Sequence, residues 1–424
     1  MGRIEGEDMM KNKYLSVLLI SLLGPVSCTL PPAQPTPTAT TPPEEIQMEV
    51  AALPLEPAPS PIPTEIPTPQ ALGPDIYAQD VNPLNGLPVS SPENLKNPPL
   101  LVSISNFPPT ARPQAGLSYC PIIFEIWIGE GMTRFLGIFY GDFPQEVAAS
   151  YPEDETTTTL QAPAVGPIRS GRLPYESIRK LFGGYLVMAS AAKDVSVQLS
   201  DYTNIFGDDL SDPNSAMMKV TQLEALAQSS QKELGDAALS GMVFDDAVPE
   251  GGKPAQSLWL YYSYLNQIFW RYDAPNGTFQ RWQDNADATN FIQATDRLTG
   301  EPIQASNVII LFADHDVKST TVIDISLLYI KRGQALLFRD GQKYNIYWTT
   351  ASEEYEKTTG KLRPIRFMDA EGNPFLLKPG QTWIEIVPFF TPYWETVDSE
   401  IYNRLAYGDQ PGSGYWAVRV HAPE

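Results

Sequence analysis

The sequence predicts an α+β protein in which an N-terminal α/β part with a mixed sheet precedes a mostly β part. Three patterns carry that expectation. Between Leu100 and Ala191, apolar strand-like runs alternate with a stretch bearing helix start and stop signals. Beyond Gly251-Gly252, short aromatic and β-branched runs recur between Gly, Asp, Asn and Pro turns, the spacing of a β-rich fold. Ahead of both, residues 29–80 are rich in Pro, Thr, Ala and Glu without an apolar period, so they cannot bury enough surface to fold.

The chain opens with an acidic stretch, Met1 to Asp8, that suits no export signal, so Met9 or Met10 is a better start. Lys11 and Lys13 then form a basic region, Tyr14 to Leu23 an apolar one, and Pro25-Val-Ser-Cys28 a small-residue cleavage site. The apolar run is far short of the roughly 20 residues a membrane-spanning helix needs. Residues 1–28 therefore read as a removable signal peptide ending at a lipobox-like cysteine. Cys28 would be lipidated with palmitate-type acyl chains and would open the mature chain, although Pro25 replaces the usual aliphatic residue. Two acyl chains suffice for stable anchoring. The alternative is ordinary cleavage and secretion. The tether over 29–80 would be partly polyproline and, at about 3.1 Å per residue, would reach on the order of 100 Å or more from a membrane.

Folding is expected to begin in the turn Asn82-Pro-Leu-Asn-Gly-Leu-Pro88, followed by a strand at Leu100 to Ser105. A hairpin follows, with arms Pro121 to Gly129 and Thr133 to Tyr140. Both arms are apolar on both faces except for Glu125 and Arg134. A buried charge costs several kcal/mol unless it is paired, so these two are expected to pair with each other. That requires a shared face, which a two-residue turn at Glu130-Gly131 would give and a three-residue loop would not. The loop Val165-Gly-Pro-Ile-Arg-Ser-Gly-Arg172 leads into a helix from Pro174 to Phe182, closed by Gly183-Gly184, and a strand from Tyr185. A second helix is expected over Lys219 to Leu234. These boundaries give an N-terminal domain over 81–240, a C-terminal β-rich domain over 241–392 and a C-terminal extension over 393–424.

Net charge is −21 and stays so after loss of residues 1–27, which carry three basic and three acidic residues. That balance argues against nucleic acid and against an anionic membrane surface as partners. With Cys28 lipidated, Cys120 is the sole remaining thiol, so no internal disulfide can form, and its apolar neighbours favour a buried, inert role. Only His315 and His421 supply imidazole, which excludes histidine-cluster metal sites. Neither a metal nor a cofactor is expected.

Several stretches resemble the YerB-like lipoproteins, a bacterial family of unknown function. They are Asn82-Pro-Leu-x-Gly-Leu-Pro88, Ala111-Arg-Pro-Gln-x-Gly-Leu-Ser118, Phe124-Glu with Glu130-Gly-x-Thr-Arg-Phe135, and Val165-Gly-Pro-Ile-Arg-Ser-x-Arg172. In the second half they are Arg271-Tyr-Asp with Phe279-x-Arg, Ala305-Ser-Asn-Val-Ile309, and Pro374-x-x-Leu-Lys-Pro-Gly-Gln-Thr-Trp-Ile-Glu-Ile-Val-Pro388. The resemblance implies two family domains behind a lipidated tether, and no reaction. Where the family usually shows Pro-His-Asn, this chain has Asp212-Pro-Asn-Ser215.

Arg169, Ser170 and Arg172 lie where a glycine-containing loop meets a helix N-terminus, a setting that favours an anion. The competing reading pairs these arginines with Glu125 and Glu130 in a structural network. Arg112 either joins the same cleft or occupies a surface turn. An alternative reading makes Glu125 and Glu130 the acid pair of a wall-glycan hydrolase, which needs two carboxylates about 5–9 Å apart, but a glutamate at a hairpin tip is more often solvated. Asp314-His315-Asp316 reads as a loop turn, not a metal fragment, and the aromatic run Trp259 to Tyr264 as core. The expected protein is an extracytoplasmic, membrane-anchored lipoprotein of the bacterial cell envelope, a non-catalytic binding or scaffolding module, with a wall-glycan hydrolase using Glu125 or Glu130 as acid as the alternative. Its anionic-ligand cleft would comprise Arg112, Glu125, Glu130, Arg134, Arg169, Ser170 and Arg172. Its partner would be a cell-wall polymer or an envelope protein.

Overall fold

The computed structural model describes residues 71–145, 163–209, 211–287, 290–396 and 410–423. Cys28, the signal segment and the tether up to residue 70 lie outside the described residues, as does the acidic run within 146–162.

Strand β1 (Leu100–Ser105) is buried along its whole length, as are β2 (Ile122–Gly129) and all but the first residue of β3 (Met132–Phe139). Strands buried on both faces must be covered from two sides, and here they are. Ile123, Trp127, Phe135 and Val102 face one hydrophobic layer, whereas Ile122, Phe124, Ile126 and Leu136 face another that includes helix α1 (Pro174–Phe182). Gly183, with φ 54, ends that helix in the left-handed cap that a Cβ would disfavour. Strands β4 (Tyr185–Met188) and β5 (Tyr202–Asn204) then run parallel to β1, and helix α2 (Val220–Leu234) packs Val220, Leu223 and Ala227 into the first layer.

The second half continues the same sheet. Strands β9 (Asn307–Ala313), β10 (Gly333–Arg339), β11 (Gln342–Thr349), β12 (Arg366–Met368) and β13 (Thr382–Pro388) give the order β12-β11-β10-β9-β13-β2-β3-β1-β4-β5. The seam is the parallel pairing of β2 with β13, from Ile122 opposite Thr382 to Ile126 opposite Ile386. A smaller sheet covers one face. It contains β6 (Ser257–Ser263), β7 (Asn266–Asp273), β8 (Thr278–Asp284), β14 (Tyr393–Glu395) and β15 (Tyr415–Arg419). Along β6, Leu258, Leu260 and Tyr262 point to the main core, and Trp259 packs with Phe269 and Ala417 outside it. Mixed α and β with a mostly β second half is thus the observed class.

Three expectations change. The halves separated at 240 share one sheet and one compact unit. The extension beyond 392 supplies β14 and β15 to the smaller sheet. The segment 71–80, assigned to the tether, packs on the body: Leu72 pairs with Phe244 through two backbone hydrogen bonds of 2.9 Å, and the Tyr77 hydroxyl donates to the Met242 carbonyl. Leu72 and Tyr77 provide the apolar surface that the proline-rich stretch before them lacks.

The hairpin register also differs, and for a local reason. The tight turn forms as expected, with Gly129 opposite Met132, but a bulge at Ile128 shifts the register so that Trp127 faces Thr133 and Glu125 faces Phe135. One extra residue moves every side chain beyond it to the other face. Arg134 is therefore opposite Ile126 and on the reverse face from Glu125.

Candidate functional site

The two charges of the hairpin end in two separate places. Glu125 lies under the smaller sheet, 0% exposed, and accepts from Arg281 Nη2 at 2.7 Å and Thr133 Oγ1 at 2.7 Å. Trp383 Nε1 at 3.3 Å and Asn106 Nδ2 at 3.5 Å complete its surroundings. Arg281, 1% exposed, reaches across from β8 between the rings of Phe135, Trp270 and Trp383. Directly beside Glu125 in the parallel seam stands Glu385, also 0% exposed, accepting from the Tyr262 hydroxyl at 2.9 Å and Trp270 Nε1 at 3.3 Å. Burial, and then the charge of Glu125, hold Glu385 well above the usual carboxylate range. Its neutral form is favoured because it is enclosed beside a second carboxylate and the Arg281 guanidinium bonds Glu125.

Arg112 belongs to this buried network. Its Nε donates to Asn106 O at 3.2 Å and its Nη1 to Asp284 O at 2.7 Å, and its guanidinium stacks on Phe107 at 4.9 Å. Burial and then Arg281 lower its pKa to about 10. Glu130 is exposed at the hairpin tip with φ 53. With Glu125 enclosed and ion-paired, these two glutamates do not form the open carboxylate pair that glycan cleavage requires.

The arginine loop occupies a fork in the main sheet. β1 and β4 pair only as far as Val102 and Val187. Beyond that point they part, and residues 167–171 fill the gap. Ser105 N donates to Pro167 O at 2.8 Å, Arg169 N to Ser103 O at 2.9 Å, Ala189 N to Arg169 O at 2.9 Å and Gly171 N to Ser190 O at 2.9 Å. A side chain at Gly171 would collide with Met188 Sδ and come within 2.8 Å of Leu199 Cδ1, so the loop needs glycine there to lie so close to the sheet.

Arg134, 6% exposed, forms the floor, with Nη1 donating to Ser170 O at 2.8 Å. The Ser103 hydroxyl reaches the same carbonyl at 3.4 Å and the Tyr175 hydroxyl at 3.2 Å. Arg169 donates to Pro213 O at 2.8 Å and Arg172 Nη1 to Gly171 O at 3.0 Å, and Arg172 Nε has no partner. Among the described residues, no carboxylate forms an ion pair with Arg134, Arg169 or Arg172. The expected pair of Glu125 with Arg134 is absent, and so is a network joining the loop to Glu125 and Glu130. Burial is the main cause lowering all three arginine pKa values, Arg134 to about 9, with Arg172 and Arg169 adding to the effect on Arg134. All three remain charged at neutral pH.

Arg281 and Glu385 were missed as site residues. The rule applied to Glu125, a charge inside an apolar strand, also marks Glu385 within Trp383-Ile-Glu-Ile-Val387. Arg281 carries a weaker signal, because β8 is polar everywhere except Phe279 and Trp282. Elsewhere, His315 is buried with Nδ1 3.0 Å from Ala313 O, and Asp316 pairs with Lys318. Burial raises the Cys120 thiol well above its usual range, in keeping with an inert core residue.

Family models for the "Protein of unknown function (DUF3048)" N-terminal and C-terminal domains match residues 84–232 and 259–384. The chain belongs to the two-domain YerB-like family. A relative named "Putative lipoprotein YerB", from Bacillus subtilis (strain 168), is 25% identical over 334 residues, 74% of this chain and 88% of the relative. The crystal structure of the YerB protein from Bacillus subtilis matches with a TM-score of 0.56 at 24% identity, covering 73% of this chain and 96% of that one. That likeness shows the fold. Both family matches contribute strands to the main sheet, so the YerB-like N- and C-terminal domains here share a core. No helix among the described residues is long and apolar enough to cross a membrane.

Proposed function

We propose that this YerB-like chain is a lipid-tethered binding or scaffolding module of the cell envelope. It would be anchored through Cys28 and would hold an anionic group of a wall polymer or envelope protein against Arg134, Arg169, Ser170 and Arg172. The observation that carries this reading is a set of three guanidiniums, Arg134 on Ser170 O, Arg169 on Pro213 O and Arg172 on Gly171 O, close enough to lower one another's pKa and forming no ion pair with a carboxylate among the described residues. Arg134 is the most buried of the three, and a buried guanidinium without a paired carboxylate costs stability that an arriving anion would offset. Arg112, Glu125 and Glu130 take no part in the proposed site. The net charge of −21 argues against nucleic acid as the partner. The relative's name supports envelope attachment, and nothing in the geometry favours hydrolysis.

The test is retention of isolated envelope material by the full chain carrying Cys28→Ser, compared with the same chain bearing Arg169→Ala or Arg172→Ala. Retention by the parent and its loss in both variants at unchanged melting temperature supports the reading. Equal retention by all three overturns it.

A further inference from the structure

Building on the reading of the arginine loop as an anion site, we infer that the group it takes is a dianionic phosphate, a phosphomonoester or terminal phosphate, and not a carboxylate. Charge balance is the first reason. One carboxylate would neutralise a single guanidinium of the three, whereas a phosphomonoester brings about −1.5 to −2 at pH 7. Denticity is the second. A carboxylate is planar and is satisfied by one arginine fork. Here the guanidiniums come from three chain positions: Arg134 from β3 below, with Arg169 and Arg172 at the two ends of the Ser170 turn. Three guanidiniums close enough to lower one another's pKa suit a multiply charged group with several acceptor oxygens better than a single carboxylate.

The neutral donors agree. The Ser103 and Tyr175 hydroxyls meet beside the Arg134 contact, and Arg172 Nε is buried without a partner. Hydroxyls add hydrogen bonds to a phosphate without adding charge. The loop lies along the carboxyl-terminal half of β1, with Ile168 bridged to Ile104, where β1 and β4 diverge.

The experiment measures thermal shift and calorimetric binding on the full chain carrying Cys28→Ser, at constant ionic strength. The probes are inorganic phosphate, glycerol 3-phosphate, acetate and phosphatidylglycerol vesicles. Phosphate and glycerol 3-phosphate are expected to raise the melting temperature and to titrate one site per chain. Arg134→Met and Arg169→Gln should each weaken binding roughly 10- to 100-fold, the effect of losing a hydrogen bond to a charged group. Arg169 is partly exposed, so its variant keeps the test open if Arg134→Met folds poorly. Acetate binding as tightly as phosphate would overturn the phosphate assignment while leaving the anion site standing. A response to vesicles alone would identify a lipid headgroup and overturn the phosphomonoester. No response to any probe would overturn both.

Discussion

Replacing Arg281 with Met isolates the interaction that closes the seam between the two halves of the main sheet. Arg281 is 1% exposed and Glu125 0%, their contact is 2.7 Å, and Arg281 Nη1 also donates to Gln283 at 2.6 Å. The lost attraction is not the whole cost. The substitution leaves Glu125 and Glu385 side by side in the parallel ladder with no cation, and an uncompensated buried charge typically costs about 3–5 kcal/mol. Met retains most of the volume between Phe135, Trp270 and Trp383, so the cavity contribution is small. Urea denaturation at pH 8 should show a loss in that range. Adding Glu125→Gln should recover a large part of the loss, giving a coupling energy above about 2 kcal/mol in the double-mutant cycle. A cost below about 1 kcal/mol, or the same cost in the Glu125→Gln background, would refute the idea that this pair holds the seam.

Glu385 holds its proton above the unfolded value of 4.5, so the native state binds more protons than the unfolded one. Stability should therefore fall as pH rises from 4.5 toward the folded pKa, by about 1.4 kcal/mol per unit, and Glu385→Gln should flatten that slope in denaturation curves. His315 acts in the opposite sense. Burial lowers it from 6.5 to about 4, so stability should be lost as pH falls from 6.5 toward 4, by about 3 kcal/mol in all, and His315→Asn should remove the loss. Between pH 4.5 and 6.5 the two effects oppose each other, and each variant should expose the other's slope. Gly171→Ala should cost about 1–3 kcal/mol by overpacking against Met188 and Leu199, measured by denaturation, and should weaken anion binding by displacing the loop.

Much of the architecture is legible in the residues. Helix α1 is bounded by Pro174 and Gly183-Gly184, and the apolar runs of β1, β2 and β9 announce strands buried on both faces. The principle that a charge in such a run needs a partner correctly marked Glu125 and Arg134 as special, but it could not name the partners. One bulged residue, Ile128, reverses which face Arg134 occupies, and no local composition announces it. The true partner of Glu125 comes from a different sheet, 156 positions further along the chain. Such long-range choices depend on how the sheets stack. The seam between β2 and β13 was illegible for the same reason, since parallel pairing across the chain leaves no turn in the sequence. The order of residues 71–80 rests on Leu72 and Tyr77, two anchors in a stretch whose overall composition reads as tether.

Binding and stability of Arg134→Met, measured side by side, test the site most directly. A guanidinium 6% exposed, bonded to one carbonyl and paired with no described carboxylate, costs the free protein several kcal/mol in desolvation. Ser170 O keeps the Ser103 hydroxyl when Arg134 is removed. The variant should therefore melt no lower than the parent and should no longer retain anionic envelope material. A variant that loses about 3 kcal/mol or more of stability yet still binds would mean that Arg134 supports the fold and that the ligand site lies elsewhere.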